Sequence, residues 1–320
     1  MRLGMVGLGR MGANLVRRLQ RAGIGAVVWD RDPAVVAALA AEGAEPAQDL
    51  ADLVARLDAP RAVWVMLPAG AATEGALSML ADLLAPGDVA IDGGNGRWTD
   101  AVRHAAMLEG RGIDFLDIGT SGGVWGLARG YCLMIGGPAG PVARLDPIFA
   151  ALAPGEAAAE PTPGRTSADL RPASGYVHCG GPGAGHYAKM VHNAIEYGMM
   201  QAMAEGLELL RAGGGGAAPL TLDVAEITEA WRRGSVVASW LLDLTAQALA
   251  ADPNLSGYTG RVGDSGEGRW AVETAINAAV PAPVLSAALF ARFRSRQDAP
   301  FADRALSAMR HAFGGHLEPK

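Results

Sequence analysis

Charge is scarce in this chain, cysteine scarcer, and no apolar run is long. Only 19 % of the 320 residues are charged, against 50 % hydrophobic. Such a balance excludes a disordered polyelectrolyte and leaves a globular protein with length enough for two domains and a large core. The formal net charge of −6 argues against a general nucleic-acid binder, which would carry a basic face. An anionic small molecule can still be held where a few Lys and Arg converge. Cys132 and Cys179 lack the spacing of a metal site and read as free, buried thiols in a reducing compartment. No apolar run reaches the ~18 residues of a membrane span, and MRLGMVGLGR at the start lacks the layout of a signal peptide. A cytoplasmic protein with no nucleic-acid or membrane partner is expected.

What is present is alternation. Strand-like runs at 2–7, 26–29, 62–67, 89–91, 113–118 and 131–135 are separated by helix-like stretches near 11–21, 33–42, 72–84, 98–110 and 138–152. A mostly parallel sheet with helices on both faces is the economical reading. Residues 154–174, rich in Pro, Gly, Ala and Ser, read as an exposed, mobile loop. Strand signals then nearly vanish, and helical patterns fill 183–212, 222–233, 235–250, 268–279, 283–297 and 301–312, with a glycine stop at 213–216. The expected fold is therefore α/β: a Rossmann-type doubly wound sheet in an N-terminal dinucleotide-binding domain, residues 1–175, then an all-helical C-terminal domain for substrate binding and oligomerisation, residues 176–320.

Gly7-Leu8-Gly9-Arg10-Met11-Gly12 matches G-x-G-x-x-G after a predicted strand and at the opening of a predicted helix. The first glycine permits the tight turn, the second lets backbone approach a pyrophosphate, and the third lets helix pack close to strand. Helix N–H groups then face the phosphates. Asp30, ending the second strand, is placed to accept from the adenosine ribose hydroxyls. The plain alternative is a glycine turn with a surface acid. Within Asp30-Arg31-Asp32, two carboxylates flank one guanidinium, which favours NAD, although Arg31 could clasp the 2′-phosphate of NADP.

The segment GAGHYAKMVHNAIEYGMMQ, residues 183–201, places Lys189, His192, Asn193, Glu196 and Tyr197 on one helical stripe. The opposite stripe, with Met190, Val191, Ile195 and Met199, is apolar enough to pack. A solvated face with i,i+4 pairs is the bland alternative, but such a face seldom joins His, Asn and Tyr with one Lys and one Glu. Two strand ends supply further polar groups: Asp92-Gly93-Gly94-Asn95, and Asp117-Ile118-Gly119-Thr120-Ser121-Gly122-Gly123. Ligands in such sheets lie beyond the carboxyl ends of the strands, where backbone N–H groups can bind a carboxylate.

With these motifs the chain resembles the short-chain form of 6-phosphogluconate dehydrogenase over nearly its whole length, residues 154–174 matching least. The signatures are IDGGN (91–95), TSGGVWGLARGYCLMIGG (120–137), KMVHNAIEYGMMQ (189–201), GEGRW (266–270), FAR (290–292) and RHAFGGH (310–316). The wider β-hydroxyacid dehydrogenase superfamily shares only the glycine turn, a TSGG-like turn and the Lys-x-x-x-Asn pair. The resemblance implies oxidative decarboxylation of 6-phosphogluconate, a sugar-acid phosphate, with hydride transfer to NAD (NADP being the alternative) and no metal. It implies that Lys189 is the general base on the 3-hydroxyl and Glu196 the acid that protonates the enol. Asn95, Ser121, Gly122, Gly123, His192 and Asn193 match groups contacting substrate, nicotinamide or both. Tyr197, Arg292, Arg310 and His316 match groups gathered round the phosphate. In the family the last two come from a neighbouring subunit, so a homo-oligomer, dimer or tetramer, is implied.

Two departures stand out. Gly96 stands where the family commonly has Ser, and Ser265 aligns with a phosphate-binding Lys of longer members. Either Arg269 compensates, or the phosphate relies on Arg292, Arg310 and His316 alone. The residue types suit the chemistry. A lysine acts as base in its uncharged form, favoured by desolvation or a nearby cation, and its ammonium then stabilises the oxygen it has deprotonated. A β-keto acid loses carbon dioxide because its ketone accepts the electrons. The rivals are a non-decarboxylating dehydrogenase of the 3-hydroxyisobutyrate type and a catalytically silent nucleotide-binding scaffold.

Overall fold

The computed structural model describes residues 2–215 and 219–317; Gly216, the last residue of the expected glycine stop, lies outside them. Two compact units result, Met1–His192 and Asn193–Lys320.

The first unit holds an eight-stranded sheet: β1 (Arg2–Val6), β2 (Gly25–Trp29), β3 (Glu45–Pro46), β4 (Ala62–Val65), β5 (Val89–Asp92), β6 (Asp114–Ser121), β7 (Cys132–Gly136) and β8 (Tyr176–Gly180). Their spatial order is β3-β2-β1-β4-β5-β6-β7-β8. Neighbours run parallel except β6 and β7, which are antiparallel. The strand order reverses between β1 and β4, the topological switch of doubly wound sheets, where ligands bind. Strands in such a sheet are apolar on both faces because helices cover both. Leu3, Met5, Val28, Trp64, Ile91 and Ile118 pack to one side, whereas Val6, Val27, Val63, Val65, Ala90 and Phe115 pack to the other. This is the period of two along a strand. Each large side chain so buried contributes roughly 1.5–3 kcal/mol.

Four helices appear near where the apolar periodicity placed them: Arg10–Arg21, Pro33–Ala41, Ala71–Leu83 and Trp98–Glu109. Some elements differ from expectation. The stretch 138–152 divides into Ala139–Arg144 and Asp146–Leu152, because Pro147 has no N–H to bond back into the preceding turn and is tolerated only in the first turn of a new helix. The helix Leu50–Ala55 and the two-residue β3 were too short to show a period. The expected boundary at 175/176 falls at the first residue of β8, which pairs with β7, and the units divide instead between His192 and Asn193. As the sheet's edge strand β8 is only half-buried, so its sequence, YVHCG, carries no apolar run. Residues 154–174 are mostly exposed, as expected, with 3₁₀ turns at Glu156–Ala158 and Arg171–Ser174.

After β8 the described residues contain helices and loops only. The long helix Ala184–Ala212 begins in the first unit and continues into the second. Val224–Gly234, Trp240–Ala251, Glu267–Asn277, Pro283–Arg294 and Phe301–Gly314 follow. Among the described residues no helix is long and apolar enough to cross a membrane.

Candidate active site

The dinucleotide turn is built as its glycines require. Gly7 has φ +91°, and a Cβ there would come 2.5 Å from the Met66 carbonyl oxygen. A Cβ on Gly12 would overlap the Gly7 carbonyl, whereas one on Gly9 would meet nothing within 4 Å. The open space over Gly9, the first-turn N–H groups of the helix Arg10–Arg21 and the adjoining groove of about 510 Å³ fit a dinucleotide's phosphates. Asp30 and Arg31 line that groove. Asp30 Oδ2 accepts the Leu8 N–H at 2.6 Å and Oδ1 the Asp32 N–H at 2.9 Å. Each oxygen retains lone-pair capacity for a ribose hydroxyl. Asp32 caps the next helix through the Ala34 N–H at 2.9 Å. Leu8 is buried, so only its backbone can meet a cofactor; Arg10 is exposed and Met11 half-buried.

Asp117, 0 % exposed, anchors the start of the long helix. Its Oδ1 accepts the Gly183 N–H at 2.6 Å and its Oδ2 the His186 N–H at 2.7 Å. The turn expected to follow Asp117 begins later, at Gly122. Antiparallel pairing with β7 keeps Gly119 to Ser121 in the strand, with Thr120 opposite Leu133 and Ser121 opposite Cys132. Gly122 and Gly123 then turn with φ of +138° and +53°. Two residues beyond Asp117, the Lys189 side chain lies on Gly119, whose missing Cβ would overlap the Lys189 Cβ and approach its Cγ to 3.0 Å. Ser121 Oγ and His192 Nε2 share a hydrogen bond of 3.3 Å. Strand and helix thus bring together Lys189, Ser121 and His192. Lys189 and Lys320 are the chain's only lysines; apart from six histidines, the other basic positions use Arg, which does not release its proton in proteins. Cys132 is exposed and Cys179 half-buried, not buried as expected, because both lie on strands near the sheet's edge.

Asn95 is exposed on the turn after β5. Beneath it Asp92 is buried, its Oδ1 accepting the Gly94 N–H at 3.1 Å. Burial pushes the Asp92 carboxyl above its ordinary pKa, with His186 and His104 opposing. A side chain at Gly96 would press on the buried His186 ring, 3.0 Å from Nδ1, so the imidazole packs where the family commonly has a serine. Among the described residues no cluster of three or more His, Cys, Asp or Glu is arranged to hold a metal ion.

In the second unit, Asn193 Nδ2 donates to Glu267 Oε1 at 2.5 Å. The Ser265 N–H donates to the Tyr197 hydroxyl at 3.3 Å, and the Arg292 guanidinium stacks on the Tyr197 ring at 3.4 Å while donating to the Gly263 carbonyl at 3.0 Å. Glu196, one residue before Tyr197, is half-buried. Arg269 is engaged elsewhere: it forks onto Asp264 at 2.8 and 3.2 Å and stacks on Phe293. Arg269 and then Arg296 hold the Asp264 carboxyl below its ordinary pKa. Arg310 and His316 are exposed, and their side chains make no hydrogen bond or ion pair among the described residues. Of the expected apolar stripe only Met190 is buried; Ile195 is 51 % exposed and Met199 41 %, because no element among the described residues covers them.

Asp117 and Glu267 stand in the quoted motifs but are not among the expected site residues. Acids at a strand end and inside a glycine motif resemble surface residues until the fold buries them.

Residues 2–159 match the NAD binding domain of 6-phosphogluconate dehydrogenase, and residues 185–316 its C-terminal domain. A relative from Haloferax volcanii, an NAD(+)-dependent, decarboxylating 6-phosphogluconate dehydrogenase, is 39 % identical over 99 % of this chain and 98 % of its own. Two solved structures share the fold at lower identity. The 6-phosphogluconate dehydrogenase of Plasmodium falciparum superposes with a TM-score of 0.78 at 24 % identity, over 100 % of this chain and 67 % of that one. The 3-hydroxyisobutyrate dehydrogenase of Mycobacterium tuberculosis gives 0.68 at 23 %, over 95 % and 98 %.

Proposed function

The chain belongs to the 6-phosphogluconate dehydrogenase family, and on that premise we propose which of its residues carry the reaction. The reaction is oxidative decarboxylation of 6-phospho-D-gluconate to ribulose 5-phosphate and carbon dioxide, with NAD favoured over NADP. When bound, the dinucleotide supplies the hydride acceptor. Lys189, as the amine, takes the 3-hydroxyl proton as hydride leaves C3, and its ammonium then faces the new ketone oxygen. That ketone draws the electron pair of the breaking C1–C2 bond, carbon dioxide departs and an enediol remains. Glu196 lies about 10 Å farther along the helix at ~1.5 Å per residue and delivers a proton to the former C2, which becomes C1 of ribulose 5-phosphate. No step calls for a metal.

Asn95, Ser121, Gly122, Gly123, His192 and Asn193 bind the carboxylate and hydroxyl end. Tyr197 and Arg292 bind the phosphate, completed by Arg310 and His316 of a second copy. The helix Phe301–Gly314 supports that last assignment: it buries no residue in its own chain, and Phe313 is 94 % exposed. Apolar surface of that kind is costly in water and favours association. The assembly is a dimer or tetramer working in the cytoplasm, its sheet-bearing part serving the dinucleotide and its helical part the substrate and assembly.

The observation that carries this reading is Lys189 seated on Gly119 beside the Ser121–His192 bond. The test follows reduced cofactor and carbon dioxide together, with 6-phosphogluconate, NAD or NADP, and no added metal. Both products should form. Lys189→Met should abolish hydride transfer while NAD still binds, and Glu196→Gln should slow proton return more than hydride transfer. Reduced cofactor without carbon dioxide would point to the 3-hydroxyisobutyrate type of dehydrogenase. Neither product would leave a silent nucleotide-binding scaffold.

A further inference from the structure

Glu267 has no part in the assignments above, yet it is the least exposed carboxylate of the second unit among the described residues, at 3 %. It is the first residue of the helix Glu267–Asn277, a position where helix N–H groups favour a negative charge. The neighbouring residues hold it in register along the long helix. Gly268 lies so close to Tyr197 that a Cβ there would come 2.8 Å from the ring, and the Ser265 N–H meets the Tyr197 hydroxyl. Tyr197 stands one turn beyond Asn193 on the long helix, so the same close packing delivers the Glu267 carboxylate to the Asn193 amide at 2.5 Å.

We propose that Glu267 is a positioning residue that fixes which end of the Asn193 amide the substrate meets. An ionised carboxylate only accepts hydrogen bonds, so it must be faced by the amide nitrogen. The Asn193 carbonyl oxygen is thereby turned the other way, and it is an acceptor only. A substrate group meeting Asn193 on that side must be a donor, as a sugar hydroxyl is and a carboxylate or phosphate is not. Glu267 therefore selects for the polyol portion of the substrate without touching it. The inference rests on the proposed role of Asn193 at the substrate.

Glu267→Gln keeps size and shape but offers either an oxygen or a nitrogen, so it no longer dictates which end of the Asn193 amide faces it. The KM for 6-phosphogluconate should rise about tenfold, the loss of one oriented hydrogen bond, with kcat changed less and the KM for NAD unchanged. In an Asn193→Ala background the same substitution should add less than about twofold, since the group it orients is gone. Effects that multiply in full, or a Glu267→Gln enzyme with wild-type KM, would overturn the proposal. A readout independent of turnover is the side-chain amide resonance of Asn193 in asparagine-labelled protein. It should move upfield in Glu267→Gln, and an unmoved resonance would overturn the proposal whatever the kinetics. A moved resonance in a protein that releases no carbon dioxide would refute the enzymatic reading and leave the positioning role standing.

Discussion

Gly119 and Lys189 are in contact through an absence: the strand residue lacks the one carbon that would collide with the Cβ of the lysine above it. The lysine's depth over the sheet is set by that glycine, together with the anchoring of its helix by Asp117 through the Gly183 and His186 N–H groups.

Gly119→Ala should therefore act on Lys189 first. The added methyl overlaps the Lys189 Cβ and comes within 3.0 Å of the Gly185 carbonyl oxygen, so helix and strand must part. Overpacking of this kind typically costs about 1–3 kcal/mol, and misplacing a catalytic group by about 1 Å costs on the order of a hundredfold in rate. Turnover should drop by that factor while NAD affinity, measured by calorimetry, stays within about twofold. An active Gly119→Ala enzyme would mean that Lys189 tolerates displacement and is not the base.

Asp30→Ala removes the acceptor of the Leu8 and Asp32 N–H groups along with the proposed acceptor for ribose hydroxyls. Hydrogen bonds to charged groups contribute about 1.5–3 kcal/mol, so the KM for NAD should rise at least about tenfold. The KM for NADP should fall or hold, since a carboxylate repels a 2′-phosphate. Parallel losses with both cofactors would show that Asp30 serves only to shape the turn.

Mixed oligomers test the shared site. Lys189→Met chains and Arg310→Ala/His316→Ala chains should each be nearly inactive at low substrate. Refolded together in equal amounts they should regain about a quarter of wild-type activity, because half of random dimers are mixed and each holds one intact site. Absence of recovery, with mixed dimers shown to form, would confine Arg310 and His316 to their own chain.

His104 makes stability depend on pH. It is buried against Phe115, with ring centroids 6.2 Å apart. Desolvation lowers its pKa below the ordinary value, with Asp92 partly opposing. The unfolded chain then protonates first as pH falls, near pH ~6.5, so stability drops from there down to the lower folded pKa. His104→Leu should flatten this part of the profile, read as a smaller fall in urea midpoint between pH 7.5 and 5.5. Equal falls in both proteins would assign the acid sensitivity elsewhere.

Much of the first unit could be read from the order of residues, because its signals are local. An apolar run bounded by glycine makes a strand, and Gly7, Gly9 and Gly12 with Asp30 announce a dinucleotide turn through spacings that the backbone itself enforces. The stripe from Lys189 to Tyr197 follows from helical periodicity in the same way. What depends on partners distant in sequence was hidden. β8 has no apolar run because an edge strand is half-wet, and Ile195 and Met199 have the period of packing residues although nothing among the described residues covers them.

The sequence alone determined the kinds of groups available, a single lysine on a polar helical stripe and an acid after a second strand, since composition and period suffice for that. Tertiary structure decided how they are held: Asp117 under the helix start, Gly119 under Lys189, and Glu267 against Asn193. Burial and distance across scores of residues turn an ordinary acid or glycine into part of a site, and neither quantity exists until the chain has folded.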